Sequence, residues 1–537
     1  MTDAVVIGAG PNGLVAANVL ADAGWTVHVV EAQPDPGGAV RSGELTLPGF
    51  VHDRFSSFYP LAAASPAIRS LELEQHGLRW RRHPLPVAHP ARDGTVAFVA
   101  PDVDDTAACL DTFATGDGDA WRKLMRLWDR IGDDLVDALF TPFPPVRAGL
   151  RLASELGYRG LAEFARFGVL PVRRLADEDL RGAGAARLIA GNSLHADFSP
   201  EQPGSALFGW TLCSLAQTVG YPIPEGGSGS LTAALVRRLE SLGGTVTCGT
   251  RVTRVEVRRG RAVGVRTEHG DVIGAKRAVL ADVDAPQLYR TLLEPRHVPA
   301  PVMRALQRFQ FGFSTFKVDF ALDGPIPWLN ADTGRAGTVH VVESIDALTR
   351  AMTDIVLRRI PAEPFLVAGQ YAQADPTRMP PGKEIFWSYT HIPREVEGDA
   401  GDGGLTGRWD EQESERFADR LADQVEAVAP GFRNSVLARH ITTPQQFEAM
   451  DANLVGGAIN GGTAQLHQEL IFRPVPGLGR NETPIAGLYL ASSSAYPSGG
   501  VHGACGANAA RSALREHGVL RRGAAWMTGA LSGRPEF

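Results

Sequence analysis

The stretch AVVIGAGPNGLVAA, residues 4–17, admits few folds. Four apolar residues make a short buried strand of the kind found inside a parallel sheet. Gly8, Gly10 and Gly13 then give the spacing G-x-G-x-x-G. The first glycine allows a tight turn, the second lets backbone amides approach a pyrophosphate, and the third lets a helix pack closely on the sheet. The pattern predicts a helix over Leu14–Ala23 that stops at Gly24, a residue suited to the position after a helix. A second strand, TVHVVE, ends on Glu31, whose carboxylate can accept from a ribose hydroxyl. Strand, turn, small-residue helix and acidic strand end all agree, so the chain is expected to bind a dinucleotide.

A chain of 537 residues is too long for one simple core, and two interleaved domains are expected. A net charge of −7 without a basic, aromatic-rich stripe excludes a nucleic-acid surface. The four cysteines (Cys109, Cys213, Cys248 and Cys505) form no C-x-x-C, which excludes a zinc knuckle or a dithiol redox pair and fits a reducing, cytoplasmic setting. No metal site is expected. No targeting segment is expected before the first strand, and no apolar run is long enough to span a bilayer.

Beyond Glu31 the segment AQPDPGGAVRSGE places Ala32, Gly37, Gly38 and Arg41 beside the ribose site. A glycine pair followed by arginine resembles the extension found in the FAD-dependent amine oxidase and carotenoid desaturase superfamily. The glycines let backbone lie along an extended cofactor, and Arg41 offers charge to its pyrophosphate. Near the other terminus, IAGLYLASSSAYPSGGVHGACGANAARS contains a buried strand (488–491), a loop rich in Ser and Gly, and a helix from about Gly503. Its amino end, with Ser493, Gly500 and Val501 before it, is expected to approach the flavin and favour negative charge there. Between these, YPIPEGGSGSLTAALVRRL predicts a glycine turn and an amphipathic helix, followed by a strand meander with turns at Arg259–Gly260 and His269–Gly270. Backbone near Val252 is expected to cover the adenine. G-G-S-G-S lacks a preceding buried strand, so no second nucleotide domain is expected.

The expected fold is α/β (α+β overall). Residues 1–85, 220–290 and 455–537 form a discontinuous Rossmann-like cofactor domain. Residues 86–219 and 291–454 form a substrate domain of mixed or antiparallel sheet with helices. Its features include the amphipathic run DAWRKLMRLWDRIGDDLVDALF, the proline-broken FTPFPPV, and the strands FSTFKVDFAL and EIFWSYTHI.

Taken together, VVIGAGPNGLVAA, SPEQPGSALFGW, YPIPEGGSGSL, DPTRMPPGKE and SGGVHGACGANAA resemble the carotenoid desaturase and isomerase branch of that superfamily, nearly end to end. The resemblance implies noncovalent FAD held by Gly8, Gly10, Pro11, Asn12, Gly13, Glu31, Ala32, Gly37, Gly38, Arg41, Val252, Ser493, Gly500 and Val501. It also implies dehydrogenation or isomerisation of an apolar, polyene-like substrate by hydride transfer to flavin N5. The chain departs from the family pattern at Ser228 and in NGGTAQLHQ, both expected to border the active site.

Three side chains are candidates for the chemistry. Lys317 sits mid-strand, where amine oxidases carry a lysine bonded through water to the flavin; the alternative is an outward, solvated lysine with Phe316 and Val318 inward. His195 with Asp197 resembles a substrate-facing position, or is a structural histidine beside an N-capping aspartate. His502 lies in the flavin-facing glycine run and is a candidate for proton transfer. Tyr221 and Trp210 either line an apolar tunnel or fill the core. Two other readings stay open: an oxidase of a smaller polar or amine metabolite, and a flavoprotein acting mainly through protein interaction. FTPFPPV and its neighbours are candidates for peripheral membrane contact; the oligomeric state is not legible.

Overall fold

The computed structural model describes residues 2–531, so residues 532–537 of the expected third cofactor piece lie outside it. Two seven-stranded sheets organise the chain. In the first, the opening strand Thr2–Ile7 lies parallel between Val27–Val30 and the long strand Val272–Ala281. Thr245–Thr247 extends one side and Leu488–Leu490 pairs with the far end of the long strand, both in parallel. The start of Val272–Ala281 pairs antiparallel with Arg261–Thr267, which pairs with Val252–Arg258. One strand therefore belongs to both the meander and the parallel sheet. All the parallel strands end at the same edge, where ligands bind in such sheets.

The opening helix runs Pro11–Asp22, begins three residues earlier than the periodicity predicts, and is followed by Gly24 in the left-handed region (φ +77°). Proline at the first helical position has the required φ and lacks an N–H that would go unbonded there. This helix packs between the helix Gly229–Ser241 and the carboxyl-terminal helix Ala504–Leu531. Small residues allow that approach: a Cβ on Gly506 would stand 1.9 Å from the Asn12 carbonyl oxygen, and one on Gly503 would stand 2.7 Å from Val15.

The second sheet runs Val436–Thr442, Ser314–Leu322, Glu384–Ile392, Leu366–Gln370, Ala336–Val341, Leu85–Pro90, Val96–Val99, antiparallel except where Leu85–Pro90 meets Ala336–Val341. Phe316, Val318 and Phe320 point to one face and pack against Phe417, Leu421 and Val425 of the helix Glu411–Glu426. The opposite face is roofed by helices of the 117–218 segment, among them Asp117–Phe140, Ala183–Ser193 and Ser205–Thr218, around Trp121, Trp128 and Trp210. One placement differs from the sequence expectation. Leu292, Leu293, Val298 and Leu306 pack with Val5, Ile7 and Val279 beneath the first sheet, so this stretch belongs with the cofactor side. Its apolar residues cover the face of the parallel sheet that the opening helix leaves open.

Candidate active site

At the carboxyl edge of the first sheet, Gly8 turns with φ +92° and its N–H donates to the Val30 carbonyl at 2.8 Å. A Cβ on Gly13 would stand 2.2 Å from the Gly8 carbonyl oxygen, so only glycine closes this turn. Glu31 accepts the Ala9 N–H at 2.7 Å on one oxygen and the Gln33 N–H at 2.8 Å on the other. A carboxylate has about four acceptor positions, so two remain for a ribose diol. A cavity of about 70 Å³ opens here, with Gly8, Glu31, Ala32, Gly38 and Val252 on its wall.

A second, larger cavity of about 340 Å³ continues between the two sheets. Gly10, Pro11, Asn12, Ser493, Gly500 and Val501 line its inner end. Phe55, Phe58, Phe208, Leu212, Trp387 and Tyr389 line the outer part. Gly10, Asp282, Asp451 and Asn453 border both cavities, which therefore meet at the glycine loop. The Asn12 side-chain oxygen is buried without a hydrogen-bond partner on this wall. The residues present fit a long, extended dinucleotide: a ribose acceptor at one end, a backbone cradle no Cβ would tolerate in the middle, and a wide aromatic chamber beyond. Gly37 serves the cradle from behind, its N–H donating to the Ala9 carbonyl at 2.8 Å.

The floor of the large cavity is the second sheet. Thr315 and Lys317 alternate with Phe316 and Val318, as a strand demands, but both faces are buried. Lys317 is 1% exposed, so the solvated alternative fails. Its ammonium donates to the Asp53 carbonyl at 2.9 Å and to Asp319, two residues on, at 2.5 Å. Burial pushes the Asp319 carboxyl up, yet the Lys317 ammonium and His52 bring it below its ordinary value. Beneath this pair Asp53 accepts from Arg378 at 3.0 Å, from the Tyr371 hydroxyl at 2.9 Å and from the Ser228 N–H at 2.7 Å. A buried ion pair of this kind is costly to break, because the partner left behind is uncompensated.

Other candidates land differently. His195 lines the cavity, and its Nε2 lies 2.9 Å from His340 Nε2. Burial holds His195 down to about 4 and pushes His340 well below its usual range, so both rings are neutral at pH 7. Asp197 is not an N-cap; it closes the short turn Leu194–Ala196 at φ +61°, with its carboxylate 3.4 Å from His391. His502 lines the cavity but is corrected as a proton carrier. Its Nδ1 accepts the Ala504 N–H at 3.0 Å and its Nε2 lies 3.2 Å from the Ser498 carbonyl, so both nitrogens are committed to the loop. That bond caps the carboxyl-terminal helix, and the packing of that helix on the opening helix accounts for Gly506; the cavity wall is the preceding loop, 497–502.

Arg41 is corrected too: it lines neither cavity, and its guanidinium donates to the carbonyls of Gly38 and Met450 at 2.9 and 2.8 Å. Tyr221 is on the cavity wall, while Trp210 fills the core and donates to the Leu124 carbonyl. Ser228 is absent from the wall, its N–H held by Asp53; Asn460, Gly461 and Ala464 of NGGTAQLHQ are on it. Sequence reasoning missed Asp282, Asp451 and Asn453. The acidic run VLADVDAP at the end of a long strand was the one available signal for the first of them.

Comparison with known proteins agrees with this architecture. Residues 12–514 match the family model described as flavin containing amine oxidoreductase. The chain is 30% identical to the mouse (Mus musculus) pyridine nucleotide-disulfide oxidoreductase domain-containing protein 2, over 96% of this chain and 93% of that one. It is 27% identical to a lycopene-forming phytoene desaturase of Pseudescherichia vulneris, over 94% and 96% respectively. Among solved structures, an oxidoreductase from Methanosarcina mazei superposes with a TM-score of 0.59 at 17% identity, covering 95% of this chain and 99% of that one. Putrescine oxidase superposes with the same TM-score at 16% identity, covering 97% and 99%. These last two speak to the fold. The four cysteines are all unpaired. With its glycine cradle, its ribose carboxylate and a match that spans nearly the whole sequence, the chain belongs to the flavin containing amine oxidoreductase family and is an FAD-dependent oxidoreductase.

Proposed function

We propose that the protein dehydrogenates or isomerises a long apolar, polyene-like substrate. The observation that carries this reading is the large chamber, whose walls are mostly aromatic and aliphatic, with His195, Thr211, Thr315, Lys317 and Thr338 as the polar exceptions on its substrate side. Apolar chambers with a few placed polar groups are the usual form of small-molecule sites, and apolar walls favour an apolar occupant. Relatives named for phytoene and carotene desaturation support the same class. Bound FAD supplies the two-electron acceptor.

The protein's own part is binding, orientation and charge. The Trp387 and Tyr389 rings lie two residues apart on one strand, 6.1 Å between centroids and 4° from parallel, and offer a flat wall to a planar conjugated chain. Lys317 is held between Asp319 and the Asp53 carbonyl, and this buried ion pair sets a fixed charge beside the chamber. His195, neutral and with Nε2 engaged by His340, has Nδ1 without a partner among the described residues; it is the candidate to exchange a proton with substrate. Phe55, Phe58 and Phe208 exclude water.

Substrate entry from a lipid surface fits the helix Val146–Gly168, which follows the proline-broken segment. It exposes Val146, Leu150, Tyr158 and Leu161 and bends at Gly157. No helix among the described residues is long and apolar enough to cross a membrane, and the contact proposed is peripheral. The test is an anaerobic screen that follows the visible flavin band and analyses products for double-bond changes. Long polyenes are expected to bleach the band or isomerise. Bleaching by short amines alone overturns the reading.

A further inference from the structure

Asp282 follows the strand Val272–Ala281 at the mouth of the glycine turn. Its Oδ2 accepts the Gly13 N–H at 2.8 Å, and a Cβ on Gly10 would stand 2.7 Å from that same oxygen. Gly13 belongs to the first turn of the opening helix, where bare N–H groups ordinarily meet a phosphate. Asp282 also borders both cavities. A cofactor with its adenosine in the small cavity and its flavin in the large one must pass its diphosphate over this side chain; the inference rests on that reading.

The surroundings are poor in positive charge. Glu31 faces Asp282 from the end of the second strand and Asp451 from beyond the helix Pro444–Met450. Cys505 approaches from the carboxyl-terminal helix, but burial pushes its thiol up to about 12, so it adds no charge. Arg41 keeps its charge beside Asp451 and Glu31 but is on neither cavity wall, Lys317 is paired with Asp319, and Arg251 lies at the adenosine end with Val252. Asn453 spends its amide on the Asp282 carbonyl and the Asp284 N–H. An ionised Asp282 would set a further negative charge against a diphosphate in a buried site.

We propose that Asp282 binds the diphosphate as the neutral acid, Oδ2 accepting from Gly13 while a protonated Oδ1 donates to a phosphate oxygen. Burial, with Asp451 and Glu31 nearby, pushes Asp282 up to about 8, so the acid is the resident form near neutrality. The sign follows. Below about 8 the group is protonated and affinity is independent of pH. Above it, binding must first restore the proton, and the dissociation constant rises by up to about tenfold per pH unit.

The experiment titrates the full-length apoprotein with FAD, read by flavin fluorescence from pH 6.5 to 9.5. The wild type is expected flat to about pH 8 and weaker beyond. D282N, which keeps an acceptor for Gly13 and a donor for phosphate, is expected flat throughout and within about threefold of wild type at pH 7. D282A is expected at least about tenfold weaker at pH 7. D451N should keep the pH dependence but move its onset to lower pH, since Asp451 helps hold Asp282 up. A flat wild type, or a slope surviving in D282N, overturns the proposal. Should D282N not fold, proton uptake by the wild type decides: binding at pH 9 should take up close to one proton, and none counts against it. Failure to bind FAD at any pH would instead sink the reading of the two cavities.

Discussion

The two ends of the site are built from different materials. At the adenosine end the ligand-facing groups are mostly backbone: a glycine turn, the N–H groups it presents, and one carboxylate held by two backbone amides. At the chamber end they are side chains, and two of the ionisable ones are tied into buried pairs: Lys317 with Asp319, resting on Asp53 and Arg378 beneath, and His195 with His340. Backbone recognition depends on the absence of Cβ atoms, so it tolerates nothing larger than glycine. Paired side chains tolerate substitution of both partners better than loss of one, since the cost lies in the orphaned charge. The two regions should therefore fail differently.

The largest effect is expected at the turn. Gly13→Val drives a side chain into the Gly8 carbonyl, and the purified protein should lack the visible flavin band altogether; a yellow product with normal stoichiometry would break the comparison. Next comes Lys317→Met, which strands Asp319 at a site 1% exposed and should lower unfolding stability by about 3–5 kcal/mol in urea titrations. It should keep the flavin yet slow substrate bleaching at least about tenfold, as loss of a preorganised charge does. The double variant Lys317→Met with Asp319→Leu sharpens the contrast, since it should regain most of the stability without regaining the rate. Unchanged bleaching in the single variant would remove Lys317 from the chemistry.

Glu31→Gln is milder. It keeps one acceptor for backbone but loses the charge, and FAD affinity measured by equilibrium dialysis should fall about ten- to a hundredfold, the scale of a hydrogen bond to a charged group. The smallest effect belongs to His502. His502→Asn should lower stability by about 1 kcal/mol, as loss of a helix cap does, while the rate of flavin reduction and its pH profile stay within about twofold. A shifted pH profile would return His502 to the proton path.

The same contrast explains what could be read in advance. Gly8, Gly10, Glu31, Val252 and Gly500 were legible because each sits in a local pattern whose spacing already states its backbone geometry. The alternation around Lys317 was equally legible, but alternation says only that Lys317 and Phe316 face opposite ways. It cannot say that helix Glu411–Glu426 buries one face and the chamber the other. Arg41 and His502 were placed in the right loops and given the wrong partners, because a short loop does not say which carbonyls come to meet it. Asp282, Asp451 and Asn453 arrive at the junction from segments far apart in the chain.

Local order along the chain, by itself, determined the dinucleotide turn, the meander and the class of cofactor, since those depend on the conformations neighbouring residues can adopt. Only the tertiary structure decided which side chains are charged, paired or free. Burial and the nearness of a second charge set those properties, and much of both comes from residues well over a hundred positions away, such as Asp53 beneath Lys317 and Asp451 beside Asp282.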